Sequence, residues 1–355
     1  MNLQTSALAG SDRTALVAGG AGFLGSHLCE QLIRRGWRVI ALDNLQTGSR
    51  GNLQRLTKET RFEFLEHDIC EPLPPGLTAD LVFNLACAAS PPRYQADPVH
   101  TMMTCVVGTN HLLAFAEANR AGFVQASTSE IYGDPELHPQ PEAYWGNVNC
   151  TGPRACYDEG KRAAEALCFD YLRHGRTDVR VARIFNTYGP RMQPDDGRIV
   201  SNLICQALAG KPLTIYGTGE QTRSFCYVSD LVDGLVRLAT VADNPREPVN
   251  LGNPGEFTIN ELAALVLAMT RSTSRIVHEP LPQDDPRRRR PDVTRAKELL
   301  DWAPKIQLAR GLPPTIAWFS RLIEAESRPA AARSPARTAG RVPTLAVAST
   351  ANRRD

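Results

Sequence analysis

The sequence lacks a large charge of one sign, a long apolar run and paired cysteines. Its 355 residues carry 40 Lys and Arg against 38 Asp and Glu, a net charge of +2. Since this balance gives no overall field to attract a polyanion, we expect no nucleic-acid partner. No apolar run approaches the length of a membrane span, and residues 1–13 lack the apolar core of a signal peptide, so we expect no membrane association.

The nine cysteines are scattered, odd in number and never spaced as Cys-x-x-Cys. Because disulfide frameworks and zinc sites both depend on regularly spaced cysteines, this pattern predicts neither. It indicates a reducing, cytoplasmic location, and we expect no bound metal. The remaining composition, 42% hydrophobic and 22% charged, is that of an ordinary globular protein with a sizeable core.

A glycine-rich turn near the start joins a predicted strand to a predicted helix. Residues 14–19 form an apolar run of strand length, and apolar residues recur at helical spacing over 23–35. Between them, Gly19, Gly22 and Gly25 let the backbone turn sharply and approach a pyrophosphate at the N-terminus of the helix. The turn therefore predicts a dinucleotide site.

The residues after the next predicted strand indicate which dinucleotide, NAD or NADP, would bind. This strand, over 37–42, is followed by Asp43, whose carboxylate can accept hydrogen bonds from the adenosine ribose. The same carboxylate would repel a 2′-phosphate, and Asn44 follows where an arginine could have bound one. We therefore predict NAD rather than NADP.

Strands and helices alternate through the first half of the chain. Further strands are predicted over 61–66, 80–85, 122–126 and 178–184, with long helices over 97–120 and 153–174. This alternation predicts an α/β fold, a Rossmann-like doubly wound parallel sheet. Beyond Pro190 it loosens, which predicts a smaller C-terminal α/β lobe.

The second of these helices carries a candidate general base. Tyr157 and Lys161 are four residues apart, so they lie on one face of a helix, one turn from each other. The ammonium group can favour the ionised form of the phenol, whose ordinary pKa is near ~10. Thr128 and Ser129, at the end of a predicted strand, add hydroxyl groups upstream.

These features, in this order, resemble the extended short-chain dehydrogenase/reductases that act on nucleotide sugars. The resemblance narrows to the UDP-glucuronic acid decarboxylase (UDP-xylose synthase) family and covers roughly residues 14–323. The runs that carry it include Ser127–Pro135, Tyr144–Asn149, Cys156–Arg162, Ala182–Met192 and Arg289–Asp292.

The resemblance implies how the catalytic residues act on UDP-glucuronate. Tyr157 takes the proton of the sugar 4-hydroxyl while NAD accepts hydride from C4, and the 4-keto sugar then loses carbon dioxide to give UDP-xylose with NAD regenerated. Lys161 holds the nicotinamide ribose and lowers the tyrosine pKa, Thr128 and Ser129 bind the C4 oxygen, and Glu130 acts near C5.

The resemblance also implies the binding residues. Those for NAD are Gly19, Gly22, Phe23, Leu24, Gly25, Asp43, Asn44, Thr47, Gly48, Asp68, Ile69, Leu85, Ala86, Cys87, Thr104, Tyr157, Lys161, Thr187 and Arg198. Those for the UDP-sugar are Asn186, Arg191, Asn202, Tyr216, Gln221, Arg223 and Arg289, with Arg223 and Arg289 as pyrophosphate partners. A homodimer through the helices over 97–120 and 153–174 is expected as well.

Some alternatives remain open. Ser129 stands where the related dTDP-glucose dehydratases have an aspartate that acts as an acid, so dehydration is disfavoured. A UDP-glucuronate 4-epimerase shares the oxidation step and is the second candidate. Met103 and Cys105 stand where relatives read lysine and asparagine, and Ala88 and Cys150 where proline is common. These departures leave a third candidate, a catalytically weak NAD-binding scaffold.

The predicted organisation has four parts. Residues 1–13 are a flexible N-terminus, and 14–190 are an NAD-binding Rossmann domain that carries the catalytic residues. Residues 191–325 are mainly a UDP-sugar-binding lobe, with some segments returning to the first domain. Residues 326–355, rich in alanine, proline, arginine and serine, are a disordered tail.

Overall fold

A parallel sheet of seven strands lies at the centre of the fold, which a computed structural model describes for residues 13–284, 286 and 288–327, without the side chains of 326 and 327. The chain divides into a unit ending at Ser320 and a second unit beginning at Arg321. Nearly all of the predicted flexible N-terminus and disordered tail lies outside the described residues. The predicted boundary at residue 190 stays a prediction.

Strands and helices alternate as the sequence predicts. The strands are β1 Thr14–Ala18, β2 Arg38–Asp43, β3 Phe62–Glu66, β4 Leu81–Asn84, β5 Gly122–Thr128, β6 Val179–Ile184, β7 Thr187–Tyr188, β8 Leu213–Tyr216, β9 Thr222–Ser224, β10 Cys226–Tyr227, β11 Val249–Leu251, β12 Glu256–Thr258, β13 Ile276–Glu279 and β14 Arg288–Arg289. The helices are α1 Phe23–Arg34, α2 Pro91–Ala96, α3 Pro98–Met103, α4 Thr109–Asn119, α5 Ala155–Arg173, α6 Ile199–Leu208, α7 Val228–Thr240, α8 Ile259–Thr270, α9 Thr294–Leu300 and α10 Leu308–Ser327.

The order of strands in the central sheet is β11-β6-β5-β4-β1-β2-β3, and each neighbouring pair is parallel. Strands β2 and β3 are added on one side of β1 and strands β4, β5 and β6 on the other, so the strand order reverses between β1 and β4, where Val17 pairs with Phe83 on one side and Ala41 on the other. In doubly wound sheets the ligand lies at the carboxyl ends of the strands, at this switch point. The predicted fold class is confirmed.

Apolar side chains on the two faces of the sheet form two cores. Successive residues of a strand point to opposite faces, so Val17 packs with Leu28 of α1 and Leu235 of α7, whereas Leu16 packs with Leu112 of α4. Helices thus cover both faces, which a parallel sheet requires. Among the described residues, none of the helices combines the length and the apolar character needed to cross a membrane.

The helix predicted over 97–120 is interrupted in the structure. It begins at Pro98, where Asp97 accepts a hydrogen bond from the His100 backbone N–H at 3.0 Å, and passes through a π-helical segment over Thr104–Gly108 before α4. A π-helical turn holds an extra residue, so it redirects the side chains that it carries. The chain is thus helical over 98–119, close to the predicted bounds, whereas the π-helical segment was not predicted.

Residues after Pro190 build smaller sheets and also return to the central one. β8 pairs with β13, and β9 lies between β12 and β14. β11 extends the central sheet beside β6, and α7 belongs to the same apolar core as α1. The C-terminal part of the chain therefore supplies both a smaller α/β region and part of the main sheet.

Candidate active site

The main cavity opens at the carboxyl ends of β1, β2, β4 and β5. Its floor is the turn between β1 and α1, where the backbone N–H groups of Gly19 and Gly20 donate to the Leu42 carbonyl at 2.8 and 3.2 Å. Gly19 has a φ of 76°, and a Cβ at Gly25 would lie 2.0 Å from the Gly19 carbonyl oxygen. Only glycine fits these two positions, so the backbone of the turn stays accessible to a ligand.

Asp43 closes the turn at the end of β2. Its carboxylate accepts from the backbone N–H groups of Ala21 at 3.0 Å and Leu45 at 2.8 Å. Burial raises the pKa of this carboxyl, while the hydrogen bonds act to lower it. Gly48 packs so closely that a Cβ there would lie 2.6 Å from Asp43 Oδ1. The glycine turn and the adjoining carboxylate fit the diphosphate and ribose of NAD.

Asp68 lies beside Asn44 at the end of the cavity formed by β2 and β3. Its Oδ2 accepts from Asn44 Nδ2 at 2.7 Å and contacts His100 Nε2 at 2.8 Å. Burial acts to raise its pKa, but hydrogen bonds from the Cys70 backbone, Asn44 and His100 outweigh burial and hold the pKa at about 2. Asp68 is therefore an anion that can accept hydrogen bonds from a ligand at neutral pH.

Tyr157 and Lys161 both line the cavity from α5, one turn apart as predicted. Lys161 Nζ donates to the Ala126 carbonyl at 2.9 Å and lies 5.9 Å from the centre of the Tyr157 ring. Burial raises the pKa of Tyr157 well above its usual value, and a hydrogen bond with Thr128 acts in the opposite direction. Burial thus dominates the pKa of Tyr157 in this structure, and the predicted lowering of this pKa by Lys161 stays a prediction.

Sequence analysis missed an aromatic partner of the base. Tyr94 stacks on Tyr157 with ring centroids 5.0 Å apart and ring planes 2° from parallel. Ser90 and the two prolines that follow begin α2 and place Tyr94 in its first turns. The sequence contains the Ser-Pro-Pro start of this short helix, but nothing in it shows that Tyr94 packs on Tyr157. The stack fixes the plane of the Tyr157 phenol.

Glu130 is held between two arginines. Its carboxylate pairs with Arg154 on one side and Arg289 on the other, and its backbone N–H donates to the Thr128 hydroxyl at 3.2 Å. Burial alone would raise its pKa, but the charges of Arg289 and Arg154 outweigh burial and lower the pKa to about 2. Glu130 is therefore ionised at neutral pH. Arg154, just before α5, is a site residue that sequence analysis missed.

A second cavity lies behind Glu130, which lines both cavities. Asp158 and Arg154 line this second cavity, and Arg154 Nε lies 4.0 Å from Asp158 Oδ2. Burial raises the pKa of Asp158 to about 7, and the Glu130 charge acts in the same direction. Unlike Glu130, Asp158 can therefore exchange a proton near neutral pH.

The predicted pyrophosphate partner Arg289 also lines the second cavity, not the main one. Its guanidinium pairs with Glu130 and donates to the Gly133 carbonyl at 3.2 Å. Arg289 lies on β14, which pairs with β9. The structure thus assigns Arg289 a carboxylate partner that sequence analysis did not foresee.

The other predicted substrate residues divide into two groups. Asn186 and Arg191 line the main cavity, and Arg191 also pairs with the buried Glu30. Four are absent from the described lining of that cavity, namely Asn202, Tyr216, Gln221 and Arg223. Asn202 Nδ2 donates to the Gly197 carbonyl at 3.1 Å, Gln221 Nε2 to the Tyr216 carbonyl at 2.6 Å and Arg223 Nη1 to the Thr222 carbonyl at 2.9 Å. Their roles stay predictions.

The structure brings nearly all predicted cofactor residues to the main cavity. Gly48, which contacts Asp43, is the one exception in the described lining. Thr128, Ser129 and Glu130 lie in the same wall as Tyr157 and Lys161. Residues that line the cavity without having been predicted for it include Gln46, Ser90, Arg93, Ser127, Gln193 and Asp196.

Comparison with known proteins identifies the family. Residues 15–252 match the NAD dependent epimerase/dehydratase family. UDP-glucuronic acid decarboxylase 1 of Danio rerio is 52% identical over 309 residues, which cover 87% of this chain and 73% of the relative. UDP-glucuronic acid decarboxylase 5 of Arabidopsis thaliana is 52% identical over 312 residues, which cover 88% and 90%. The chain belongs to the UDP-glucuronic acid decarboxylases of this family. The resemblance and the predicted cofactor, NAD, are confirmed.

Solved structures of more distant members share the fold. UDP-glucuronic acid 4-epimerase from Bacillus cereus, in complex with UDP-glucuronic acid and NAD, superposes with a TM-score of 0.79 at 27% identity, covering 87% of this chain and 99% of that one. UDP-glucose 4-epimerase from Thermotoga maritima, solved with UDP-glucose, gives a TM-score of 0.79 at 30% identity, with the same coverage. The decarboxylase family thus shares its architecture with 4-epimerases.

Proposed function

We propose that this protein converts UDP-glucuronate to UDP-xylose and carbon dioxide, with NAD reduced and regenerated in each turnover. The observation that carries the proposal is the joint placement of Tyr157, Lys161 and an ionised Glu130 in one wall of the dinucleotide cavity. The 52% identity to curated decarboxylases over most of the chain supports the same conclusion.

The β1–α1 turn and Asp43 hold NAD. The backbone N–H groups at the start of α1 would bind the diphosphate, because a helix N-terminus favours an anion, and the Asp43 carboxylate would accept hydrogen bonds from the ribose hydroxyls. Lys161 retains two ammonium protons beyond the one that it donates to Ala126, and these can bind the nicotinamide ribose. When bound, NAD supplies an oxidised nicotinamide that accepts hydride from the sugar C4 and later returns it.

Tyr157 moves the proton that accompanies each hydride transfer. Its phenolic oxygen takes the proton of the 4-hydroxyl, and the Thr128 hydroxyl stabilises the phenolate by hydrogen bonding. The stacked ring of Tyr94 keeps the oxygen in place for the reverse transfer to the 4-ketone. The same group therefore serves as base in the oxidation and as acid in the reduction.

The oxidation at C4 makes loss of the carboxylate possible. The 4-ketone is β to the carboxylate on C5, so the electrons of the breaking C–C bond move into an enolate. A proton is then added to C5. With a pKa of about 2, Glu130 is a poor proton donor at neutral pH and acts instead as a fixed acceptor that orients the sugar or a water.

A homodimer is also part of the proposal. Val99 and Met103 are four residues apart at the two ends of α3, so they share a face, and they are 69% and 41% exposed. Large apolar side chains exposed side by side are typical of an interface. The second copy of this chain is the proposed occupant, which agrees with the predicted interface over 97–120.

The proposed location is the cytoplasm. The odd number and scattered spacing of the cysteines support a reducing compartment. Imaging a C-terminally tagged chain in cells, beside a cytoplasmic marker, tests this part of the proposal. A tagged chain that separates from the marker would contradict it.

The function is tested by incubating the purified protein with UDP-glucuronate and catalytic NAD, and following the nucleotide sugars by mass spectrometry. We expect the mass of the sugar nucleotide to fall by that of one carbon dioxide, without accumulation of NADH. UDP-galacturonate at unchanged mass would instead establish the 4-epimerase. No turnover by a protein that still binds NAD would favour the scaffold.

A further inference from the structure

Two thiols meet in the wall of the main cavity beside the catalytic helix. The Sγ atoms of Cys87 and Cys105 lie 3.5 Å apart and share a hydrogen bond. Cys87 follows β4 and lines the cavity, whereas Cys105 is 1% exposed and lies on the π-helical segment over Thr104–Gly108. The decarboxylation described above uses neither sulfur as a reactant.

We propose that Cys87 and Cys105 are an oxidisable dithiol, which a hydroperoxide entering the main cavity converts to a disulfide that lowers activity. Cys87, which faces the cavity, attacks one peroxide oxygen. The O–O bond breaks, and the thiol proton leaves with the other oxygen as water when the oxidant is hydrogen peroxide. The product is a sulfenic acid on Cys87.

The second thiol completes the reaction. The Cys105 sulfur attacks the Cys87 sulfur, the S–S bond forms and the S–O bond breaks. The hydroxyl group leaves with the Cys105 proton as a second water. Two thiols and one hydrogen peroxide thus give one disulfide and two waters, and a dithiol reductant reverses the change.

The surroundings of the pair favour this chemistry. The hydrogen bond with Cys87 lowers the pKa of Cys105 to about 7 against the effect of burial, and the same bond raises the pKa of Cys87. The Lys161 ammonium acts to lower the pKa of both thiols. Because Cys87 has the higher pKa, the negative charge of the pair lies on Cys105, and Cys87 becomes the attacking thiolate when its proton passes to Cys105 across their 3.5 Å hydrogen bond.

The disulfide would act on the catalytic turn of α5. A Cβ at Gly160 would lie 3.1 Å from Cys105 Cβ and 3.2 Å from its Sγ, so Cys105 packs directly on the residue before Lys161. The sulfurs must approach from 3.5 Å to a bond of about 2.05 Å. We expect this movement to displace the π-helical segment or the loop after β4, both of which line the cavity.

To test the proposal, the full chain is treated with hydrogen peroxide in the presence of NAD. The oxidant is then removed with catalase, and the remaining thiols are alkylated in denaturant. We expect two of the nine thiols to disappear. Arg93 lies between the two cysteines, so trypsin places them in separate peptides, and fragment ions distinguish Cys87 from Cys70 in the same peptide. Decarboxylase activity should fall in proportion to the bridged fraction and return with dithiothreitol.

Matched variants separate this bridge from general oxidation. Cys105→Ser should keep the untreated activity and lose the sensitivity to peroxide, whereas Cys150→Ser, which removes an exposed cysteine, should remain as sensitive as the parent. The NAD-dependent thermal shift confirms that each variant is folded, and Cys105→Ala provides a second replacement.

Three results would overturn the proposal. They are a bridge from Cys105 to Cys156 instead of Cys87, equal loss of activity in Cys105→Ser and the parent, and a full Cys87–Cys105 bridge without loss of activity. The activity readout rests on the proposed function, whereas the peptide and thiol readouts do not. A protein that bridges but never turns over UDP-glucuronate would therefore contradict the function and not the dithiol.

Discussion

Burial and charge determine the protonation state of each ionisable residue in the two cavities. The phenol of Tyr157 and the carboxyls of Glu130 and Asp158 are all withdrawn from solvent, yet their pKa values shift differently. Two arginines hold the pKa of Glu130 at about 2, whereas burial raises that of Asp158 to about 7 and that of Tyr157 well above its usual value. Charge compensation by neighbouring side chains therefore decides which group is ionised.

Replacing the general base should remove turnover and leave cofactor binding intact. We expect Tyr157→Phe to lower kcat by about 10²- to 10⁴-fold, the usual contribution of a positioned acid or base. The stack on Tyr94 and the glycine turn remain, so the NAD-induced thermal shift should persist. Tyr171→Phe, on the same helix, is the control, because its hydroxyl contacts Asn110 outside the cavity. Comparable kcat values for the two variants would contradict the assignment of Tyr157.

Asp158 should make folding less favourable as the pH rises from about 4 to about 7. Its pKa is about 7 in the folded chain, whereas an aspartate in an unfolded chain titrates near ~3.9. In this window the folded state holds a proton that the unfolded state has released, so the free energy of unfolding falls with pH. Asp158→Asn removes this contribution.

Urea unfolding of both proteins at pH 4 and pH 7.5 measures the effect. The free energy of unfolding of the variant minus that of the parent should increase with pH. Any loss of packing caused by the substitution shifts this difference equally at both pH values and does not affect the comparison. A difference that stays constant or decreases would mean that Asp158 is already ionised in the folded protein near pH 4.

Two short elements determine most of the shape of the main cavity. One is the β1–α1 turn, where glycines permit contacts that no side chain allows. The other is the π-helical segment over Thr104–Gly108, where a Cβ at Gly108 would lie 2.5 Å from Ile69 Cδ1. The segment brings Thr104 to the cavity and Cys105 to Cys87. A regular helix through the same residues would rotate these side chains away from their present partners.

The glycine turn should tolerate no side chain at its third glycine. Gly25→Ala places a methyl group 2.0 Å from the Gly19 carbonyl oxygen, so the turn must open. We expect at least about tenfold weaker NAD binding, which is roughly 1.4 kcal/mol. Titration calorimetry with NAD measures this change. Gly51→Ala is the control, because its nearest neighbour is the Ser49 hydroxyl at 3.3 Å, and its NAD affinity should match that of the parent.

At the scale of the whole molecule, the two cores and the exposed face of α3 bear on the proposed association of two copies. The central sheet is covered on both faces by helices of the same chain, so its strands offer no face to a partner. Val99 and Met103 remain exposed on α3, the helix that also leads into the π-helical segment of the cavity. Dimer formation through this face would therefore support the wall of the active site.

A charge on this face should separate the copies. Val99→Glu would bury a carboxylate against an apolar partner, which is costly unless the group is paired, so we expect sedimentation velocity to show monomers at concentrations where the parent is dimeric. Leu299→Glu is the control, since Leu299 is 44% exposed on α9, outside the proposed interface. A parent that sediments as a monomer, or two variants that sediment alike, would contradict the proposed interface.

The sequence alone determined the features that depend on local geometry. The glycine turn, Asp43 at a strand end and the spacing of Tyr157 and Lys161 follow from strand and helix periods. They predicted the fold and the cofactor, which are confirmed, and the general base, which stays a prediction. Only the tertiary structure decided the contacts between distant segments. Glu130 and Arg289 are 159 residues apart in the chain, and no local pattern encodes which arginine meets a carboxylate. The same holds for the Tyr94 stack and the two thiols, because the packing of separate elements brings them together.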